Sequence, residues 1–404
     1  MSRSLAITGF FEPSQMVGGV ASYWQNLTRG VNEVVGADPR FRGTHVTVFH
    51  GPAGVPARWP GIEYRQTGNG SRLRSEIAFG LRASAGFDAV LFPNYFRPPI
   101  MRAARSTAVL HDLLYKHMPE LFAGRKRLWL HNAQRYALRH CDSIVTISET
   151  VRQDVLRWFG DRWAEKTRAI WNPIAFERLE GDAPPFPTGG RPYVLAVAVD
   201  RPFKNLATLI QAFDRLRPRF PDHVLVLAGE LRARRPKGRI HSRRVAARMP
   251  PTVDLVKRLG LEQHVLITGF VPDEQLGALY RGADAFVLPS LFEGFGMPAV
   301  ESVALGTPTV VSDIPVLREA TQGLAIYLEA PRDADAVAEQ LSAVLRDPAA
   351  ARPAPAAISR MRRLFAPATI ATQYLETLFG VPPAPAPESL LQAASTGVAA
   401  APAR

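Results

Sequence analysis

Short apolar runs alternate with helical patterns along the chain, and this alternation constrains the fold more than any other sequence feature. In the first half, the runs that resemble buried strands are residues 5–10, 45–49, 89–93, 108–110, 143–147 and 168–171. The second half repeats the plan at residues 194–199, 224–228, 265–269, 286–288, 309–311 and 325–328. Strands separated by helices favour parallel sheets covered by helices on both faces. The sequence therefore predicts an α/β fold with two Rossmann-like, doubly wound domains that face a central cleft.

The domain boundary is predicted from chain length and from one proline- and glycine-rich segment. A chain of 404 residues exceeds what one hydrophobic core usually supports. Residues 181–190 suit neither a helix nor a strand, so we place the linker there. The predicted parts are an N-terminal domain at 1–180, a C-terminal domain at 181–365, a helix returning to the N-terminal domain at 366–380, and a disordered tail at 381–404. Residues 348–357, rich in alanine and proline, are predicted to form a loop.

Cysteine content, apolar runs and charge narrow the class of protein. The single cysteine, Cys141, excludes an internal disulfide framework and fits a reducing cytoplasm. No segment approaches the roughly 20 apolar residues that span a bilayer, so we expect a cytoplasmic protein that is soluble or peripheral on the inner membrane face. The net charge of +13 implies an anionic partner, which can be a nucleic acid, a lipid head group or a phosphorylated substrate.

The segment Glu-Gly-Phe-Gly-Met-Pro-Ala-Val-Glu at 293–301 places two carboxylates around a glycine turn that opens a helix. The run before it, 285–290, resembles a buried strand. Pro298 suits the first helical position, where its missing N–H costs nothing, and Gly306 ends a short helix. The segment is therefore predicted to be a strand, a turn and a helix.

This turn is suited to a phosphorylated sugar. Gly294 and Gly296 let the backbone approach a ligand, and the free amides at the helix start attract a phosphate. Glu301 can accept ribose hydroxyls, and Glu293 can accept hydroxyls of the group beyond the phosphates. The alternative is an ordinary strand-turn-helix connection with solvated carboxylates.

Two residue pairs, Gly18-Gly19 and His111-Asp112, follow predicted strands of the first half. Gly18 and Gly19 can bring backbone amides against a phosphate, or they form a plain turn. His111, followed by Asp112, can hydrogen-bond a sugar hydroxyl or cap backbone groups as a structural residue. Ligands of doubly wound sheets bind beyond the carboxyl ends of the strands, so we expect these groups and the 293–301 turn at one cleft.

Arg201 and Lys204 follow the first strand of the second half and precede a predicted helix at 206–213. Both cations can point into the cleft and neutralise a diphosphate. A leaving nucleoside diphosphate gains negative charge as its bond to the sugar breaks, so a fixed cation lowers that barrier. The alternative is two solvated surface cations.

Together these motifs resemble those of the retaining glycosyltransferases of family 4, which have the two-domain GT-B fold. The resemblance extends from Leu5 to Phe379. It rests on Gly18-Gly19, His111-Asp112, Ser148 at a helix start, Asn172-Pro173 and Lys204-Asn205. Its most specific element is the Glu-x7-Glu signature of Glu293 and Glu301, followed by Gly306-Thr307-Pro308 and Glu319.

The resemblance implies roles for individual residues. Glu293 and His111 would contact the donor sugar, Glu301 the nucleotide ribose and Lys204 the diphosphate. The predicted catalytic residues are His111, Lys204, Glu293 and Arg201. The predicted donor-binding residues are Gly18, Gly19, Lys204, Asn205, Glu293, Gly294, Phe295, Gly296, Met297 and Glu301. Many family members carry an Arg five residues before the Lys, where this chain has Val199, so Arg201 departs from the pattern.

The resemblance also implies a reaction with retention of anomeric configuration, without a protein nucleophile, a cofactor or a divalent metal. The acceptor would attack from the face that the leaving group vacates, while the leaving phosphate helps to deprotonate it. The Asp-x-Asp sequence at Asp333 and Asp335 starts a predicted helix at 334–345. It is better explained as a helix N-terminal cap than as a metal site.

Two basic stretches remain. Residues 232–248 contain eight cations and no acidic residue, which favours an anionic partner. Residues 125–139 combine cations with Trp129 and Leu130 on a predicted helix, a composition suited to anionic lipid head groups. A solvated surface is the alternative for both.

The leading hypothesis is a hexosyltransferase that uses a nucleoside-diphosphate sugar, with GDP-mannose favoured, and a lipid-linked or cell-surface polysaccharide or lipopolysaccharide acceptor. His111-Asp112-Leu113, Pro119-Glu120 and Lys204-Asn205 resemble the mannosyl- and rhamnosyltransferase branches. The second hypothesis is a nucleotide-sugar epimerase or phosphorylase of the same fold. The third is a non-catalytic binder of an anionic polymer. Residues 232–248 lack interleaved aromatic residues, so no nucleic acid is expected as a partner.

Overall fold

A computed structural model describes residues 3–11, 18–68, 72–99, 101–181, 183–184, 188–231 and 251–383. The basic stretch at 232–248, the tail from residue 384 onward and parts of the predicted linker therefore lie outside the described residues. Among the helices that the structure does describe, none is both long and apolar enough to cross a bilayer.

The N-terminal half is built on a seven-stranded parallel sheet with the strand order β3-β2-β1-β4-β5-β6-β7. Its strands are β1 (Ser4–Gly9), β2 (His45–His50), β3 (Glu63–Gln66), β4 (Ala89–Phe92), β5 (Arg105–Leu110), β6 (Ser143–Thr146) and β7 (Thr167–Ala169). Its helices are α1 (Gly19–Ala37), α2 (Arg72–Ala78), α3 (Leu114–His117), α4 (Gly124–His140) and α5 (Glu149–Phe159). The inner strands are apolar and buried because helices cover both faces of the sheet.

The C-terminal half repeats this plan with a six-stranded sheet in the order β10-β9-β8-β11-β12-β13. Its strands are β8 (Tyr193–Val197), β9 (Val224–Ala228), β10 (Val265–Gly269), β11 (Ala285–Leu288), β12 (Thr309–Ser312) and β13 (Ile326–Leu328). Its helices are α6 (Leu206–Leu216), α7 (Thr252–Arg258), α8 (Asp273–Gly282), α9 (Met297–Ala304), α10 (Pro315–Thr321) and α11 (Ala334–Arg346). Both sheets carry their first strand in the middle, so the predicted pair of doubly wound domains is confirmed.

Two helices follow the second sheet, α12 (Pro355–Phe365) and α13 (Pro367–Phe379). The loop predicted for residues 348–357 is therefore wrong from Pro355 onward, because that proline occupies the start of a helix, where its missing N–H is not needed. Helix α13 lies against α1 of the N-terminal half. The hydroxyl of Tyr23 donates to the hydroxyl of Tyr374 at 2.9 Å, and both residues are fully buried.

Two helix starts bear out the predictions made for them. Ser148 precedes α5 and its Oγ accepts a hydrogen bond from the Val151 amide at 3.1 Å. Asp333 precedes α11, and its carboxylate accepts hydrogen bonds from the amides of Asp335 and Ala336. Both side chains satisfy amides that have no acceptor within their own helix. Asp333 thus serves as the predicted N-terminal cap.

Candidate active site

A cavity of about 380 Å³ lies between the two sheets. Gly18 and His111 of the N-terminal half line it from one side, and Lys204 and Glu293 of the C-terminal half from the other. These residues follow strands of the two sheets, close to the points where the strand order reverses. Doubly wound sheets bind ligands at such points. The cavity is therefore the candidate site, and most of the predicted cleft residues meet there.

The turn at 293–301 brings the two halves into contact. Gly296 precedes α9 with a φ of 93°, and an added Cβ there would lie 2.5 Å from the Leu317 side chain. Gly294 approaches the N-terminal half so closely that an added Cβ would collide with the carbonyl oxygen of His111. Glycine is needed at position 296 for its backbone conformation and at position 294 for its small size. The glycines thus hold Glu293 next to the end of β5.

Lys204 and Glu293 form an ion pair inside the cavity, with Nζ 2.6 Å from Oε1. The two side chains are only 13% and 9% exposed. Lys204 ends a short 3-10 turn at Pro202–Lys204, which follows β8 and places the ammonium at the carboxyl end of the second sheet. In this position, the Lys204 ammonium can leave Glu293 and bind an anionic ligand instead.

Asn205 and Arg201, both predicted at the site, are not among the residues that line the cavity. The Asn205 amide donates to the carbonyls of Pro289 and Pro331, and its oxygen accepts from Thr208. These bonds tie the start of α6 to the loops after β11 and β13, next to Lys204. The predicted contacts of Asn205 and Arg201 with a donor stay predictions.

His111 is partly buried and presents a defined tautomer. Its Nε2 lies 2.8 Å from the carbonyl oxygen of Pro93, so Nε2 carries the proton and Nδ1 is left as an acceptor. Burial lowers the pKa of His111, which keeps the ring neutral near pH 7. The ring of Tyr23 packs against it edge to face, with centroids 4.8 Å apart. The geometry thus provides a neutral ring that can accept a hydroxyl hydrogen bond.

Asp112, next to His111, is a further, partly buried acid at the cavity. One of its carboxylate oxygens accepts a hydrogen bond from the Leu114 amide at 2.9 Å. Burial raises the pKa of Asp112, and the nearby charge of Glu293 adds to that rise. The His111-Asp112 pair predicted at the strand end therefore reaches the cavity with both of its side chains.

The N-termini of α1 and α9 both face the cavity. Gly18 precedes α1 with a φ of 99° and offers no side-chain cap, and an added Cβ on Gly19 would lie 3.5 Å from Met297 at the start of α9. The first amides of a helix lack intrahelical acceptors and carry partial positive charge. Two such termini facing each other favour an anion between them. Phe295, buried behind this turn, lines the same cavity.

Glu301 is buried in a polar network that sequence reasoning missed. Arg178, on a short turn at Phe176–Leu179, donates to Oε1 of Glu301 and also, at 2.5 Å, to Asp273. The Tyr280 hydroxyl donates to Oε2 at 3.0 Å. Burial raises the pKa of Glu301, and the charge of Arg178 opposes that rise.

Arg178, Asp273 and Phe270 line the cavity although none was predicted there. Asp273 and Phe270 follow β10, and their position at the carboxyl end of a strand was a usable signal. Phe270 is 73% exposed, an unusual fraction for a large apolar side chain. Arg178 follows no strand closely, and only its position just before the linker indicated that it could reach both halves.

Two family models match the chain in succession. The model for Glycosyltransferase Family 4 matches residues 17–178, and the model for Glycosyl transferases group 1 matches residues 182–360. The boundary between them falls at the predicted linker. The two matched segments are thus the two halves that meet at the cavity.

Curated relatives match large parts of the chain. O-antigen chain mannosyltransferase B of Escherichia coli is 27% identical over 266 residues, which are 63% of this chain and 64% of that relative. The chain thus matches just under two thirds of that protein's length. Glycogen synthase of Mycobacterium tuberculosis is 32% identical over 326 residues, which are 77% of this chain and 70% of that protein.

Solved structures show the same fold. A sucrose-phosphate synthase from Thermosynechococcus elongatus superposes with a TM-score of 0.70 at 21% identity, over 97% of this chain and 100% of that one. Both domains of the present chain are thus arranged as in a known enzyme of the GT-B fold. With both of its halves matched by glycosyltransferase models, the chain belongs to the GT-B glycosyltransferases of family 4.

Proposed function

We propose that the protein transfers mannose from a nucleoside-diphosphate donor, with GDP-mannose favoured, to a lipid-linked or cell-surface polysaccharide or lipopolysaccharide acceptor. Similarity to the Escherichia coli relative, an O-antigen chain mannosyltransferase, supports both the sugar and the class of acceptor. The glycosyltransferase models that match both halves favour sugar transfer over the epimerase or phosphorylase alternative.

The Lys204–Glu293 ion pair is the observation that carries this proposal. The donor diphosphate binds between the N-termini of α1 and α9, and the Lys204 ammonium turns from Glu293 to the phosphates. Glu293 is thereby released to accept hydroxyls of the donor sugar. Glu301 uses the second lone pairs of its oxygens to accept ribose hydroxyls while it remains bonded to Arg178 and Tyr280.

The proposed reaction breaks the bond between the anomeric carbon and the phosphate oxygen. Negative charge then grows on the departing diphosphate, where Lys204 and the two helix termini stabilise it without a metal ion. The acceptor hydroxyl attacks the anomeric carbon from the face that the diphosphate vacates, and its proton passes to the leaving phosphate oxygen. A new glycosidic bond forms with retained configuration. The neutral His111 ring accepts a hydrogen bond from a hydroxyl of the donor sugar.

We also propose that α4 contacts an anionic membrane, which would bring the enzyme to a lipid-linked acceptor on the inner face of the cytoplasmic membrane. Leu128 and Trp129 of α4 are 62% and 50% exposed, and they lie next to Arg125 and Arg127. Leu130, named in the sequence-based prediction, is instead buried in the core. Exposed apolar side chains beside cations suit the head-group region of a bilayer.

The proposed function is tested by measuring mannose transfer directly. The purified protein is incubated with GDP-mannose labelled in the sugar and with a lipid-linked glycan acceptor, in the presence of a metal chelator. We expect label in the glycan, release of GDP, and an α-linkage from the α-linked donor by NMR. Labelled free mannose or an epimerised nucleotide sugar without labelled glycan would overturn the proposal.

A further inference from the structure

Glu319 joins the two halves of the protein through four hydrogen bonds. It lies on α10 of the C-terminal half, and every one of these donors belongs to the N-terminal half. The amides of Glu149 and Thr150 donate at 2.6 and 3.0 Å, the Thr150 hydroxyl at 2.9 Å and the Trp171 indole Nε1 at 2.8 Å. One carboxylate thus bonds four donors across the contact between the two halves.

These bonds cap α5 from outside its own half. The first amides of a helix have no intrahelical acceptor, and Ser148 satisfies only the amide of Val151. Glu319 accepts from the two amides before it. A carboxylate at this end of a helix also interacts favourably with the helix dipole. The N-terminus of α5 is therefore complete only when the C-terminal half is in place.

The same helix start leads directly to the candidate site. The Ser148 hydroxyl donates to the carbonyl oxygen of Gly294 at 3.1 Å while it caps α5. Gly294 follows Glu293 in the chain and contacts the carbonyl of His111. A shift of α5 relative to α10 would therefore move the Glu293 turn relative to His111.

We propose that Glu319 is a positioning residue that holds the two halves in the arrangement needed for sugar transfer. Glu319 does not line the cavity, so it acts through α5 and Ser148 and not on the substrate itself. The activity part of this inference rests on the proposed function. Loss of the carboxylate leaves the donor contacts of the C-terminal half intact and changes their distance from His111.

The experiment compares Glu319→Ala and Glu319→Gln with the wild-type protein. We expect Glu319→Ala to lower kcat for mannose transfer by about a hundredfold, the loss that a displacement of roughly 1 Å near the reacting atoms can cause. GDP affinity, measured by calorimetry, should fall far less than kcat, because Lys204, Glu301 and the start of α9 all lie on the C-terminal half. Gln keeps one acceptor oxygen and should lose less activity. The matched control is Glu339→Gln, which removes an ion pair with Arg219 inside the C-terminal half.

A measurement of the distance between the two halves tests their arrangement without any catalytic turnover. Spin labels are placed on Arg157→Cys in α5 and Arg346→Cys in α11, while Cys141 is buried and should not react. We expect a longer or broader distance distribution in Glu319→Ala, and wild-type distances in the Glu339→Gln control. Unchanged distances in a folded Glu319→Ala protein would overturn the proposal.

Trp171→Phe covers the case in which Glu319→Ala does not fold. This change removes one donor to Glu319 and keeps an aromatic ring against Phe365. We expect a smaller shift in distance, with kcat lowered far more than GDP affinity. Losses in kcat and GDP affinity of equal size would overturn the proposal. Because distances and GDP binding need no acceptor, the inference about Glu319 can stand even where mannose transfer fails.

Discussion

Arg178, on the turn just before the linker, donates a hydrogen bond to Glu301 of the C-terminal half, inside the cavity. The Glu301 side chain is only 6% exposed, and that of Arg178 21%. A carboxylate buried this far is stable as an anion only beside a cation. The acid that the proposed function assigns to the nucleotide ribose is therefore kept charged by a residue of the turn that enters the linker.

The Arg178→Ala variant should lose about 3 kcal/mol of unfolding free energy, because removing one partner leaves a buried charge without compensation. Urea unfolding at pH 7 measures this loss. The double variant Arg178→Met with Glu301→Gln removes both charges and should recover much of the stability. A single variant as stable as the wild-type protein would contradict this account of Glu301.

Lys204→Met should lower kcat for mannose transfer by about 10²- to 10³-fold, the range found when one group that stabilises developing charge is removed. The cause is the loss of the ammonium that faces the departing diphosphate. Initial rates of GDP release at saturating GDP-mannose give kcat. Lys257→Met, on the surface of α7, is the matched control and should transfer at the wild-type rate. Equal rates for the two variants would exclude the proposed role of Lys204.

Gly294→Ala should slow transfer strongly, because its new Cβ collides with the carbonyl of His111 and pushes the Glu293 turn away from the N-terminal half. Transfer rates and the fold, checked by circular dichroism, measure the effect. Gly36→Ala is the control, since a Cβ there meets no atom within 4 Å and alanine favours a helix. Full activity in Gly294→Ala would show that the turn does not need its close approach to His111.

The contribution of His111 to stability should depend on pH. Burial lowers its folded pKa below the ordinary value of 6.5. As the pH falls below that value, the unfolded chain binds a proton that the folded protein does not, so stability is lost. The advantage of the wild-type protein over His111→Gln in unfolding free energy should therefore be smaller at about pH 5.5 than at about pH 8. An advantage that stays constant or grows towards acid would show that His111 is not held neutral.

Replacing Arg125, Lys126 and Arg127 by Gln should weaken binding to vesicles that contain phosphatidylserine by about 1 kcal/mol per residue. Co-sedimentation at physiological salt measures this binding. The control carries the same change in charge at Lys257, Arg258 and Arg346, which lie on the C-terminal half. If both triple variants bind equally well, α4 is not the membrane contact.

The apolar runs were enough to predict the order and approximate limits of nearly every strand in the described ranges. The exception is β3, whose residues Glu63–Gln66 are polar and partly exposed at the edge of the sheet, so no apolar run marks it. Helix α12 was missed at its start because proline was taken as a sign of a loop. Local patterns thus describe the inner elements, whose environment is uniformly apolar, better than the outer ones.

For the site, position at a strand end was the useful signal. It correctly brought His111, Lys204 and the Glu293 turn to one cavity. The partners of these residues were not predictable, since the bonds of Arg178 to Glu301 and of Glu319 to α5 join segments more than a hundred residues apart. Such contacts depend on how the two halves pack, which no local pattern specifies.

The return of α13 to the N-terminal half has a consequence for biosynthesis. Gly30 of α1 lies so close to Pro367 at the start of α13 that any side chain there would collide, and Tyr23 bonds to Tyr374. The ribosome makes α1 first and α13 only after the entire second sheet. The half that is translated first is therefore completed last, and its α1 surface needs protection from aggregation throughout synthesis.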